Sequence, residues 1–358
     1  MKQIKSFFNT IKSKYMWLPV IILLEALLLA GCEKNGPIVV LTTGFDEDVV
    51  FKIEDETCTK AEVMVYLVNS ENAYDEVFGE NIWKVPYGDG TVENQYKESV
   101  LARLAQIKAM NIFAKEKGIT LDESEENNVI HAAKEYYNSL THEEIEYMGV
   151  TLETIEKLYR EYAVANKLYA DITDSVNPEI SDDEARTVTV RSILIKTYSM
   201  DENGNRVEFN QAQKDDAMRR AYDLSARINA GEEFEIIAAD YNEDEKTLYS
   251  FARGVMPEAI EDAAFNMSEN EVSDVICTEY GYHIIKCITN FDEEQTDLHK
   301  LDIVRIRKEE AFTKSYDEYI SSLTSNINMD LWNEISYVRS ENVKTTNFFE
   351  TYETFSNY

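Results

Sequence analysis

The sequence predicts an α+β protein in which a compact unit of strands and helices lies between two mainly helical stretches. Three observations carry this. Helix start signals recur in the first half, where Thr59/Glu62, Thr120/Glu123, Thr141/Glu144 and Ser181/Glu184 each place a carboxylate three residues after a hydroxyl. In that pairing the two side chains satisfy free amide donors at a helix N-terminus. The pattern then turns β-rich at "TVTVRSILIK" (187–196), and it returns to helix after Phe291 through "LHKLDIVRIRKEEAFTKSYDEYISSL". With 44% hydrophobic residues over 358 positions the chain can bury large cores, and its length suggests two or three domains.

In chain order, residues 1–31 carry Lys2, Lys5, Lys12 and Lys14 ahead of an apolar run from Met16 to Ala30 that ends in small residues. That run is too short for a membrane span of roughly 20 residues; the layout is that of a secretory signal peptide. Leu29-Ala30-Gly31-Cys32 resembles the lipobox of bacterial lipoproteins, which implies that Cys32 is lipidated and becomes the new N-terminus at an extracytoplasmic membrane face. Two acyl chains are roughly what stable anchoring needs. Glu25 departs from the pattern, since a carboxylate is costly in hydrocarbon, and an uncleaved anchor with a structural cysteine is the other reading. Residues 32–47 are expected as a tether.

"DVVFKIEDETCTKAEV" reads as a strand, a turn and a helix start. Val100, Leu104, Ile107, Met110 and Ala114 recur at spacings of three and four, one apolar face of a helix between Thr91 and Gly118. Helices follow at 121–139, 142–148 and 151–175, so residues 48–180 form a helical part with a single strand at its start. Pro178 disfavours a helix at Asn177 and marks a boundary.

From 187 the order is a strand, a turn or small excursion at "DENGN", a helix ended by Gly231, and short helices at "EEFEIIAADY" and "PEAIEDAAF". The strands "EVSDVIC" and "YGYHIIKCI" follow. Residues 291–337 are helical, and the aromatic, acidic tail 338–358 is expected to be frayed or loosely docked.

Cys58, Cys277 and Cys287 are too few for a disulfide framework and lack metal-ligand spacing. Cys287 reads as a small buried residue, with a Cys277–Cys287 bridge as the alternative. The net charge is −33, or −36 once Lys2, Lys5, Lys12, Lys14 and Glu25 are removed. Such a surface repels phosphate backbones, which argues against nucleic acid as a partner, and it repels anionic lipid.

His283 is one of only four histidines. A lone histidine in a strand is by default a hydrogen-bonded core residue, so its neighbours must decide. Four segments in collinear order resemble a parvulin-type peptidyl-prolyl isomerase domain over residues 187–290: "VRSILIK", "ADYNEDEKTLYSFARGVM", "IEDAAFNM" and "VSDVICTEYGYHII". The flanks resemble the split helical chaperone domain of PrsA- and SurA-type foldases, in which N- and C-terminal helices pack together around the inserted isomerase. The resemblance implies a small antiparallel sheet with flanking helices inserted in that helical domain. It implies a membrane-anchored extracytoplasmic foldase whose partners are unfolded or partly folded exported proteins with X-Pro bonds. It leaves open whether the chain acts alone or as a homodimer.

By the same resemblance, Asp244, Thr278 and His283 fall on the polar positions beneath a proline pocket, and Leu248, Phe251, Met256 and Ile260 on its apolar walls. Ser192 stands where the family usually has its first histidine, and Ile260 where it usually has a larger aromatic; the Gly-Gly pair before the central strand is missing. Serine can donate and accept a hydrogen bond but carries no charge near neutral pH, so reduced activity is expected, with a non-catalytic holdase as the alternative. No cofactor or metal is expected. The barrier is rotation about a partial double bond, about 18–20 kcal/mol, and a site that binds the twisted amide better than either planar form lowers it.

Overall fold

The protein is described by a computed structural model covering residues 38–39 and 44–356, apart from Asp89, Pro178, Asn203, Tyr337 and Val338. The expected signal peptide 1–31, the expected lipidation site Cys32 and most of the expected tether lie outside the described residues, as does Pro178. The chain divides into two compact units, one running to Ser175 and resuming at Glu310, the other Val176–Glu309.

The first unit is mainly helical, with helices Lys60–Phe78, Val92–Lys117, Glu123–Ser139, His142–Met148 and Leu152–Thr173. It holds more β-structure than the single expected strand. A four-stranded sheet runs in the order Ile38–Val39, Thr324–Ile327, Val49–Ile53, Glu56–Thr59, and a short hairpin pairs Pro86–Tyr87 with Gly90–Thr91. Capping boxes form at Thr59/Glu62 and Thr141/Glu144 as the spacing predicts. At Ser181 only half of the box forms, its side chain accepting from Glu184 N. The expected box at Thr120/Glu123 gives way to Asp122/Glu125, where a carboxylate accepts the Glu125 amide at 2.9 Å and the helix begins at Glu123.

A buried ion pair lies inside this unit. Lys108, fully buried, donates to Glu62 Oε1 at 2.8 Å and to Glu161 Oε1 at 2.7 Å. The C-terminal tail is docked rather than frayed. Helix Phe348–Phe355 buries Phe348, whose ring stacks on Tyr159 at 4.6 Å and meets Tyr136 edge-on. Its backbone is held by side chains of the N-terminal helices: Tyr159 donates to Phe348 O at 2.6 Å, and Asn69 Oδ1 accepts from Phe348 N at 3.1 Å. Aromatic content that reads as loose in sequence is here the core of the return segment.

The second unit is built on an antiparallel sheet in the order Ile276–Thr278, Gly281–Thr289, Val188–Lys196, Leu248–Phe251. Register sets its faces, because residues directly opposite one another share a face. Ser192 stands opposite Ile285, Leu194 opposite His283, and Val190 between Cys287 and Tyr249. This face carries Val188, Val190, Phe251, Ile285 and Cys287 onto helix Glu258–Asn266 through Ile260, Ala264 and Phe265. The other face packs Ile193, Ile195 and Ile284 on helices Gln211–Asn229 and Phe234–Tyr241.

Where a turn or small excursion was expected, Tyr198–Met200 pairs with Arg206–Glu208 as a small hairpin. Of "EVSDVIC" only the end is strand, at Ile276–Thr278; Val272 makes an isolated bridge to Lys286. No Cys277–Cys287 bridge forms. Cys277 is exposed opposite Tyr282, while Cys287 is buried opposite Val190. The boundary expected at 290/291 falls at 309/310, because the first turns of helix Glu293–Ile320 stay with the sheet. Thr187 N donates to Thr296 Oγ1 at 3.1 Å, and His299 Nδ1 to Ala185 O at 3.0 Å.

Candidate active site

The site is built where the ends of three strands meet the loop after helix Phe234–Tyr241. Asn242, the C-cap of that helix, organises the loop: its Oδ1 accepts from Leu194 N at 2.9 Å and Asp244 N at 3.2 Å, and its Nδ2 donates to Asp244 O and Lys246 O, both at 3.1 Å. A single side chain therefore turns the backbone back onto the central strand. This presents Asp244, whose Oδ1 accepts from Glu245 N at 2.8 Å and whose Oδ2 accepts from the Tyr249 hydroxyl at 2.6 Å.

Across the sheet, Thr278 and His283 flank the tight hairpin that closes the domain, and Thr278 Oγ1 lies 2.9 Å from His283 Nε2. His283 is 5% exposed. Burial pushes its pKa down to about 4, against the opposing pull of the Asp244 and Glu279 charges. A neutral imidazole in an apolar setting follows, with a carboxylate near enough to be felt.

Ser192 is buried on the same face as His283, and its N–H donates to Thr247 O at 2.7 Å. Phe251 and Ile260 are buried in the cluster beneath helix Glu258–Asn266, with Phe251 edge-on to Phe265 at 6.2 Å. Met256 is half-buried against the same cluster. Leu248 stands apart from them. It pairs with Arg191 one register position away from Tyr249, on the alternate parity, and is 50% exposed.

Three residues that hold the site were not singled out from sequence. Tyr249 shares parity with Phe251, which strand alternation alone could have found. Asn242 at a helix end is a turn-forming asparagine. Glu261 accepts from Val255 N at 2.8 Å and Met256 N at 2.9 Å, fixing the loop that carries Met256. Burial acts to raise the Glu261 pKa, but the N–H groups of Gly254, Met256 and Val255 outweigh it and hold it low.

Among the described residues no group of three or more His, Cys, Asp and Glu is placed to hold a metal. A cavity of about 170 Å³ belongs to the first unit, between Asn128, Ala163 and Tyr352, and includes no residue of this site.

The family model described as "Rotamase: PPIC-type PPIASE domain" matches residues 193–289, the stretch that carries every residue of this site except Ser192. The chain carries a parvulin-type peptidyl-prolyl isomerase domain. Beyond that domain, the chain is similar to the "Foldase protein PrsA" of Caldanaerobacter subterraneus subsp. tengcongensis, at 28% identity over 77% of this chain and 85% of that protein. It is also similar to "Foldase protein PrsA 3" of Bacillus cereus, at 25% identity over 68% and 80%. A crystal structure of PrsA from Bacillus cereus covers 76% of this chain and all of that one, at 16% identity and a TM-score of 0.34. The chain is PrsA-like, with its isomerase domain inside the second unit and helical segments before and after it. Chemically, the isomerase domain sets a buried neutral imidazole, a hydroxyl and a carboxylate beside an apolar face. Those groups can stabilise redistributed charge in a twisted amide without a covalent bond.

Proposed function

We propose that this protein is an extracytoplasmic foldase, anchored by a lipidated Cys32, that isomerises X-Pro bonds in unfolded or partly folded exported proteins. Uncatalysed, those bonds take tens to hundreds of seconds to exchange, slow enough to delay folding after export. The observation that carries the reading is the Thr278–His283 pair at 2.9 Å, its imidazole buried, within a domain of the rotamase family. Asp244 is the polar group offered to the amide, with Thr278 and His283 behind it. Phe251, Met256 and Ile260 supply the apolar slot, and Leu248 its exposed rim. The helical unit holds the client chain. Among the described residues no helix is long and apolar enough to cross a membrane, and anchoring is assigned to the lipid.

Ser192 in place of the usual histidine favours a second reading, a lipid-anchored holdase in which the isomerase unit serves only for docking. Cis/trans exchange on a proline-containing peptide, measured with the full chain and with Asp244→Ala, separates the two. A rate above the blank that falls at least about tenfold in the variant supports the isomerase. A rate at the blank, with suppression of client aggregation that Asp244→Ala leaves unchanged, supports the holdase. Incorporation of labelled fatty acid in cells, lost in Cys32→Ser, tests the anchor; label that persists in the variant refutes it.

A further inference from the structure

Tyr249 stands opposite Val190 in the sheet, which places it with Phe251 on the face that bears Ser192 and His283. Its ring packs against the buried cluster that includes Phe251, Ile260 and Phe265, against which Met256 also packs. Its hydroxyl donates to Asp244 Oδ2 at 2.6 Å. The other carboxylate oxygen is taken by Glu245 N at 2.8 Å, so both oxygens of Asp244 are held, one by backbone and one by Tyr249. A phenol at this strand position does two things that a small residue could not: it reaches back over the loop to the carboxylate, and it covers apolar surface of that cluster. Burial, the Asp244 bond and the charges of Asp244 and Glu245 all push the phenol pKa up, so it stays a donor at neutral pH.

We infer that Tyr249 is a positioning residue of the isomerase site, whose hydroxyl holds the Asp244 carboxylate in place and whose ring walls the proline slot next to Met256. The inference rests on the isomerase reading above. A hydrogen bond between a neutral donor and a carboxylate contributes enough to matter for rate. The charged groups that act on His283 are Asp244 and Glu279. A carboxylate that loses its donor is no longer held in one place, and the support its charge gives His283 weakens with it.

The test is Tyr249→Phe in the full chain, which keeps the ring and removes only the hydroxyl. The isomerase kcat should fall about 3- to 10-fold with KM within about twofold. In histidine-labelled protein, which has only four histidines, the His283 NMR midpoint should drop below its wild-type value. In an Asp244→Asn background Tyr249→Phe should change neither rate nor midpoint further, the non-additivity of two groups acting as one. A Tyr249→Phe protein with wild-type rate and an unmoved His283 midpoint overturns the assignment. A wild-type chain with no rate sinks the isomerase reading by itself. The His283 midpoint still decides Tyr249 in that case, a drop supporting its hold on Asp244 and no change refuting it.

Discussion

The Thr278 hydroxyl and the His283 imidazole meet at 2.9 Å across a tight hairpin, and the Tyr280 N–H donates to the same hydroxyl oxygen at 3.1 Å. With one lone pair of Thr278 Oγ1 taken by Tyr280, its hydrogen and its second lone pair remain for Nε2, so either neutral tautomer of the ring completes the bond. Burial demands only that the ring be neutral.

A pH dependence follows. The folded pKa of His283 is about 4, against about 6.5 in an unfolded chain. Between the two the unfolded state binds more protons, so stability rises with pH through this window. The contribution is complete above about pH 6.5 and is lost as pH falls toward 4, on the order of 3 kcal/mol in all. Chemical denaturation of wild type and His283→Gln at about pH 7.5 and 4.5 checks it: the destabilisation of wild type on acidification should be larger than that of the variant. Equal acid sensitivity would mean His283 titrates normally.

Ser192 sits at the centre of the sheet face, opposite Ile285 and buried. A histidine there would bring a ring nitrogen out to where the shorter hydroxyl cannot reach. Ser192→His is expected to raise the isomerase rate about 3- to 10-fold. It should also lower the melting temperature, because added volume in a packed site costs about 1–3 kcal/mol. Peptide exchange and thermal melts on the same sample check both. A melt that drops without any gain in rate would show that the slot departs from the family in more than this residue.

Much of this was legible in the sequence, for reasons that particular residues show. His283 and Thr278 were placed by their resemblance to the parvulin motif; the structure brings them together through a two-residue turn before Gly281, which sets the hairpin register. The helix Val92–Lys117 followed from apolar spacing and from Gly118, whose φ of +73° ends it. Leu248 was harder. Motif position put it in the slot, but strand alternation sets it on the opposite parity to Phe251, and its pairing with Arg191 bears that out. Phe348 and Tyr352 were misjudged because the tail's stability lies in partners more than 180 positions earlier, such as Tyr159 bonding Phe348 O. Nothing local in "NFFETYETF" encodes them. The strand Thr324–Ile327 was missed for the same reason: its pairing partner is Phe51–Ile53.

Gly281 has φ +141°, and a Cβ there would lie 2.1 Å from Ile195 O, a backbone atom that cannot move without the strand. Gly281→Ala should therefore cost more than about 3 kcal/mol and separate Thr278 from His283. Gly254 has φ +86° with open space around it, so Gly254→Ala should cost only about 1–2 kcal/mol for the left-handed backbone. Calorimetry of the two variants should show a large loss for the first and a small one for the second. Similar losses would mean that backbone conformation, not the Ile195 contact, dominates at Gly281.

The last prediction concerns the helical unit. Lys108 holds two carboxylates in a buried setting, and Lys157 adds a second ammonium 3.0 Å from Glu62 but 3.8 Å from Glu161. The two acids respond differently. Burial alone would raise both, but Glu62 has two close ammoniums and the Thr59 N–H at 2.6 Å, which together hold it low. In Glu161 burial wins and its pKa is raised, with Oε2 buried and unbonded. Lys108→Met removes the charge that both carboxylates share and should cost about 3–5 kcal/mol at neutral pH. The sign of the pH dependence then follows from the loss of that charge. Both folded-state pKa values rise above the unfolded carboxylate value, so the variant's missing stability is recovered below that value and lost again as pH rises through the folded ones. Its deficit relative to wild type should be smaller at about pH 5 than at about pH 8. Adding Glu62→Gln and Glu161→Gln to Lys108→Met should restore most of the loss, since glutamine at 62 can still cap Thr59 and no buried charge remains unpaired. Were the triple variant as unstable as the single one, the cost would lie in packing volume around Lys108 rather than in stranded charge.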